Sequence, residues 1–91
     1  MSNARKLASW ASAHTGLPLD YAAGLPRLEL TGLRQLRVEQ HRGLLEYGPE
    51  TVVVRTAGAS IRVRGSGLTL EAMTAGELTL SGEIFALELV Y

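Results

Sequence analysis

The residues best suited to chemistry stand together in EQHRGLLEYG, positions 39–48, where Glu39, His41, Arg42, Glu46 and Tyr47 gather around Gly43. Residues i and i+2 of a strand point the same way, so Glu39 could orient His41 as a general base. A hydrolytic site also needs a Ser, Thr or Cys aimed at that base. The chain has no cysteine, and from Leu28 onward its Ser and Thr residues fall in turn clusters or on exposed strand faces, with no nucleophile-elbow pattern anywhere in the chain. Its other histidine, His14, lies far along the chain, and two histidines without clustered aspartates make a poor metal site. GSG at 65–67 is too short to cradle a phosphate and leads into a strand instead of a helix. No catalytic, metal-binding or cofactor-binding residue is therefore expected. The segment reads as a hairpin: Leu36 and Val38 inward, Arg37, Glu39 and His41 outward, Gly43 at the positive φ of a tight turn. Leu45 and Tyr47 then return to the core face, with the Tyr47 hydroxyl reaching the rim or a hydrogen-bond partner. On that geometry His41→Ala leaves stability nearly unchanged, and Gly43→Val costs about 1–2 kcal/mol.

The elements that must position this segment follow from periodicity. From Asn3 to Thr15, Leu7, Trp10, Ala11 and His14 fall at i, i+3, i+4 and i+7, which predicts a short amphipathic helix ended by Gly16 and Leu17–Pro18. So short a helix is marginal alone, and its Trp10 face must pack on the domain or on a partner. A Leu-Pro connector covers 17–27, because the residue before each proline is biased to extended backbone. From Leu28 the period becomes two, with apolar pairs at 28/30, 36/38, 45/47, 52/54, 61/63, 68/70 and 78/80 separated by Gly- or Pro-containing clusters. Such spacing predicts an all-β fold, a small antiparallel β-sandwich or roll of seven or eight short strands over 28–91 behind the helix of 1–16. A weak Gly then L-x-L recurrence keeps a short β-solenoid open as the alternative. In EIFALELVY the apolar phase flips after Ile84, which predicts a β-bulge near Phe85–Ala86.

Composition bounds the rest. With 91 residues, 46% hydrophobic but only 5% aromatic, this is one small domain with an aliphatic core, and no disulfide can staple it. Domains of this size often gain stability by associating, so a homo-oligomer or docking onto a protein partner is expected. The net charge of zero argues against a nucleic-acid partner held by phosphate contacts. It hides a split: residues 27–64 carry seven arginines against four glutamates, whereas 65–91 carry four glutamates and no base. A basic region and an acidic one could meet within the fold or between copies. The apolar FALELVY segment is suited to adding onto another strand, with Arg55, Arg62 and Arg64 as complementary charge. No apolar run reaches the roughly 20 residues of a membrane-spanning helix, and no secretion signal is expected.

LPRLELTG, residues 25–32, followed by L-x-V-E-x-H-R-G-L-L-E-Y across 36–47, resembles the YabP/YqfC family of sporulation proteins, most closely its YqfC-like branch. The tail TAGASIRVRGSGLTLEAMTAGELTLSGEIFALEL is similar to the family's order of turn, L-x-I-x-G, L-x-I, then G-x-I-x-x-I-E. Gln40 departs from the Asn expected before the histidine. The resemblance implies a non-enzymatic protein of the mother-cell cytoplasm in an endospore-forming bacterium, peripheral at the forespore surface. There it would act as a structural or assembly factor for the spore envelope, or as an adaptor for a membrane protein of the sporulation machinery. No catalytic residues or cofactors come with the family. Pro26, Arg27, His41, Arg42, Gly43, Glu46 and Tyr47 carry over as the shared motif, and Trp10 stands beside them as an interaction candidate.

Overall fold

The computed structural model describes residues 24–91. The expected helix bearing Leu7, Trp10, Ala11 and His14, and most of the Leu-Pro connector, lie outside them. The described residues are all-β. Six strands, β1 (Arg27–Thr31), β2 (Gln35–Glu39), β3 (His41–Tyr47), β4 (Thr51–Thr56), β5 (Ser60–Met73) and β6 (Glu77–Val90), form one sheet in the order β1-β2-β6-β5-β4-β3. Every pairing is antiparallel, which fits the hairpin reading and leaves no stacked solenoid turns.

Eight alternating runs make six strands because two expected turns are bends inside long strands. GSG lies within β5, and the Ser81–Gly82 step lies within β6. The β5–β6 register slips three times around these points. At Gly65 the two backbones press so closely that a Cβ would sit 2.0 Å from the Glu83 carbonyl oxygen, and a Cβ at Gly82 would sit 2.7 Å from that of Gly67. The bend divides the sheet into two wings. β2 pairs with β6 only over Glu77–Ser81, and β4 pairs with β5 only over Ser60–Arg64.

Leu36, Val38, Leu78, Leu80 and Leu68 come from one wing, and Val52, Val54, Ile61 and Val63 from the other, yet all nine are at most 4% exposed and form one cluster. A single layer cannot hide one face of both wings, so each wing covers the other, and one bent sheet performs the work of a sandwich. Each of these side chains stabilises the fold by about 1.5–3 kcal/mol through burial.

The phase flip in β6 is a bulge at the expected place. Arg64 opposes Ala86 while Gly65 opposes Ile84, which leaves Phe85 as the extra residue. Ile84 packs against the core before the bulge, and beyond it Leu87 and Leu89 lie across from buried Val63 and Ile61. The charge split is partly settled inside the chain. Arg37 Nη2 donates to Glu77 Oε2 at 2.7 Å, which holds the guanidinium pKa above its usual value, and Arg62 Nη1 stands 3.8 Å from Glu88 Oε1. Arg62 is thus engaged within its own sheet, which narrows the charge available for contacts between copies.

The β1–β2 turn carries a local cost. Gly32 and Leu33 both have positive φ (58° and 59°), and the Arg34 N–H donates to the Thr31 carbonyl. Such mirror-image turns favour Asn and Gly, whereas a leucine there is strained. Leu33 is 69% exposed, so little burial offsets that strain. Leu33→Asn is expected to raise stability by about 0.5–1 kcal/mol. An unchanged or lower melting temperature would show that the leucine is held for its surface contacts.

Candidate functional site

The polar cluster of EQHRGLLEYG forms at a strand switch, not at a hairpin. β2 ends beside β6, β3 starts at the opposite edge of the sheet beside β4, and only Gln40 separates them. Gln40 makes the step with φ of 62°, a left-handed conformation that Asn adopts more readily than Gln. Its side chain offsets part of that cost by donating from Nε2 to the Leu25 carbonyl at 2.9 Å. The backbone N–H groups of Gln40 and His41 both donate to the Gly76 carbonyl in the β5–β6 turn.

His41 does not point outward as the strand alternation suggests. It is buried, and both ring nitrogens are used within the fold. Nδ1 accepts from the Gly43 N–H at 2.9 Å, so Nε2 carries the proton and donates to the Thr74 carbonyl at 2.8 Å. The left-handed step at Gln40 interrupts the alternation that would have sent the ring to solvent. The ring ties the start of β3 to the β5–β6 turn, and the near-neutral effect expected for His41→Ala is corrected accordingly. Glu39 faces Arg37 at 3.4 Å, and no hydrogen bond joins it to the imidazole. Gly43 has the expected positive φ, 109°, but in a bulge of β3, between the His41–Thr56 and Leu44–Val54 pairs.

The slip before Leu44 exchanges the expected facing of Leu44 and Leu45, and a second slip, between Leu44 and Glu46, restores it for Tyr47. Leu44, not Leu45, packs against the core, and Leu45 is exposed. Tyr47 lies across from buried Val52 with its ring half outside, and its hydroxyl accepts the Leu70 N–H at 2.9 Å, the rim position expected of it. Arg42 and Glu46 are exposed on β3, Arg27 is exposed opposite Glu39 at the start of β1, and Pro26 is half-buried just before it. The structure therefore gathers His41, Gly43, Gln40, Thr74 and Gly76 at the switch and leaves Arg27, Arg42 and Glu46 as surface. Trp10 lies outside the described residues. Nothing in the local periodicity marks Thr74 or Gly76, because a contact between His41 and a residue 33 positions away leaves no trace there. Among the described residues no group of three or more His, Cys, Asp or Glu is placed to hold a metal ion, and no helix is long and apolar enough to cross a membrane.

These features define a class: a small all-β domain whose densest polar cluster binds its own strands together and whose exposed apolar side chains run along sheet edges. The chain belongs to the YabP family, whose model matches residues 24–91, the whole of the sheet. It is also similar to "Uncharacterized protein YqfC" of Bacillus subtilis (strain 168), with 25% identity over 79 residues that make up 87% of this chain and 85% of that protein.

Proposed function

We propose that the protein is a non-enzymatic structural or assembly factor in building the spore envelope, made in the mother cell and peripheral at the forespore surface. Membership of the YabP family over the whole sheet carries this reading. The use of both His41 ring nitrogens inside the fold supports its non-enzymatic part, because no lone pair is left there for a substrate proton. A fluorescent fusion in sporulating cells is expected to gather at the forespore, and deletion is expected to leave spores with a defective envelope. Normal spores from the deletion strain, with the fusion spread evenly through the mother cell, would sink the proposal.

The exposed apolar residues of β6, Phe85 and Leu89 above all, favour a second reading, an adaptor that binds a membrane protein of the same process. The two readings part in a strain lacking that membrane protein. A scaffold keeps its position there, and an adaptor becomes diffuse.

A further inference from the structure

We propose that two copies of the chain pair antiparallel through the second half of β6, about a two-fold axis at Leu87, to make one sheet continuous across both. The inference is independent of the cellular role. On its outer side β6 is paired by β2 only up to Ser81, and the Leu33 carbonyl takes one last hydrogen bond from the Ile84 N–H. From Phe85 to Val90 that backbone edge is open among the described residues. An open edge of this length is a template for another strand unless charge, proline or a covering element blocks it. Among the described residues none does so: Phe85 is 70% exposed, Leu87 38% and Leu89 58%.

Charge selects a second copy as the occupant and Leu87 as the centre. Pairing about Glu88 would set two carboxylates face to face, which is unfavourable. Pairing about Leu87 sets Phe85 against the partner's Leu89 and Ala86 against the partner's Glu88. Within one copy Arg64 opposes Ala86, and Arg62 opposes Glu88. The row across the joined sheets then reads Arg64, Ala86, the partner's Glu88, the partner's Arg62. Arg64 is exposed and forms no ion pair among the described residues. Glu88 Oε1 is buried without a hydrogen bond, Arg62 at 3.8 Å being too distant to donate one. The Glu88 side chain as a whole is 41% exposed and so open to a further donor. The small Ala86 side chain lets Arg64 reach that incompletely satisfied carboxylate, twice per dimer by symmetry.

The chain has no cysteine, so Leu87→Cys supplies a single thiol at the axis. Mild oxidation of the full chain should give a disulfide-linked dimer, whereas Val90→Cys, opposite the partner's Ile84 in this register, should cross-link roughly tenfold more slowly or not at all. By light scattering the unaltered chain should have the mass of a dimer, dissociating more readily as salt rises. Leu89→Lys, at an exposed position, should give a folded monomer, and Arg64→Glu should weaken association by roughly fivefold or more as two favourable pairs become repulsive. A monomer at high micromolar concentration and low salt overturns the proposal, as does equal cross-linking at positions 87 and 90. Should Leu87→Cys fail to fold by circular dichroism, a dimer unaffected by Leu89→Lys overturns it equally.

Discussion

Gly65→Ala is expected to unfold the domain, or to leave it so weakened that urea denatures it at the lowest concentrations. The added methyl carbon would stand 2.0 Å from the Glu83 carbonyl oxygen, 2.9 Å from Leu68 Cδ2 and 3.1 Å from the Glu83 carbonyl carbon. Backbone cannot swing aside as the end of a flexible side chain can, so β5 and β6 must separate at the bend. That separation strikes the one place where the two wings are joined through continuous strands, and it draws Leu68 and Ile84 off the core. The expected cost is about 4 kcal/mol or more, beyond the usual range for a point substitution and a large part of the ~5–15 kcal/mol that holds a small domain together. Gly76→Ala is the control, since nothing lies within 4 Å of its added carbon and its φ is not positive. Urea titrations should place Gly76→Ala close to the unaltered protein. A Gly65→Ala midpoint within the equivalent of about 1 kcal/mol of the control would mean that the strands do not touch there.

Gly65 also shows what could and could not be read from the chain. The alternation at 61/63, 68/70 and 78/80 marks the core-facing residues correctly, all buried but the partly buried Leu70, because burial on one face depends only on a period of two. The flip after Ile84 marks the Phe85 bulge for the same reason. GSG, however, looks the same whether glycines turn a hairpin or let two strands cross at close range, and only the partner strand decides between them. The count of strands depended on that choice. At the switch, Gly43 announced its positive φ and nothing announced Gln40, whose left-handed backbone is held by Leu25 and Gly76, far off in sequence. Once that step breaks the alternation, the facing of His41 inverts, and the first slip in β3 leaves Leu44 on the core in place of Leu45. Local pattern thus placed the core of β2, β4, β5 and β6 and misjudged the facing of His41 and Leu45, where long-range hydrogen bonds override it.

His41→Ala is expected to cost about 3 kcal/mol, an effect second only to that of Gly65→Ala, and three losses combine in it. The ring is 5% exposed, so its removal opens a space beside the β5–β6 turn. The Thr74 carbonyl loses its donor from Nε2, and the Gly43 N–H loses its acceptor at Nδ1. Both bonds are only part-buried, so each group left without its partner costs about 1 kcal/mol, the low end of the range for a buried one. His41→Phe separates packing from hydrogen bonding, because it keeps most of the ring volume and neither nitrogen. It should still cost about 2 kcal/mol, since both orphaned groups remain. Nitrogen chemical shifts of the His41 ring provide a test that needs no substitution: the geometry requires the neutral form protonated at Nε2, with Nδ1 as acceptor. Urea denaturation then decides what the motif is for. If His41→Ala melts like the unaltered protein yet fails to support spore formation, the histidine is a recognition residue and the strand-tying role is lost. If stability and function fall together and His41→Phe falls between, the His-Arg-Gly segment acts by holding the β5–β6 turn against the strand switch, and the contacts with other proteins must come from the surface that this holds in place.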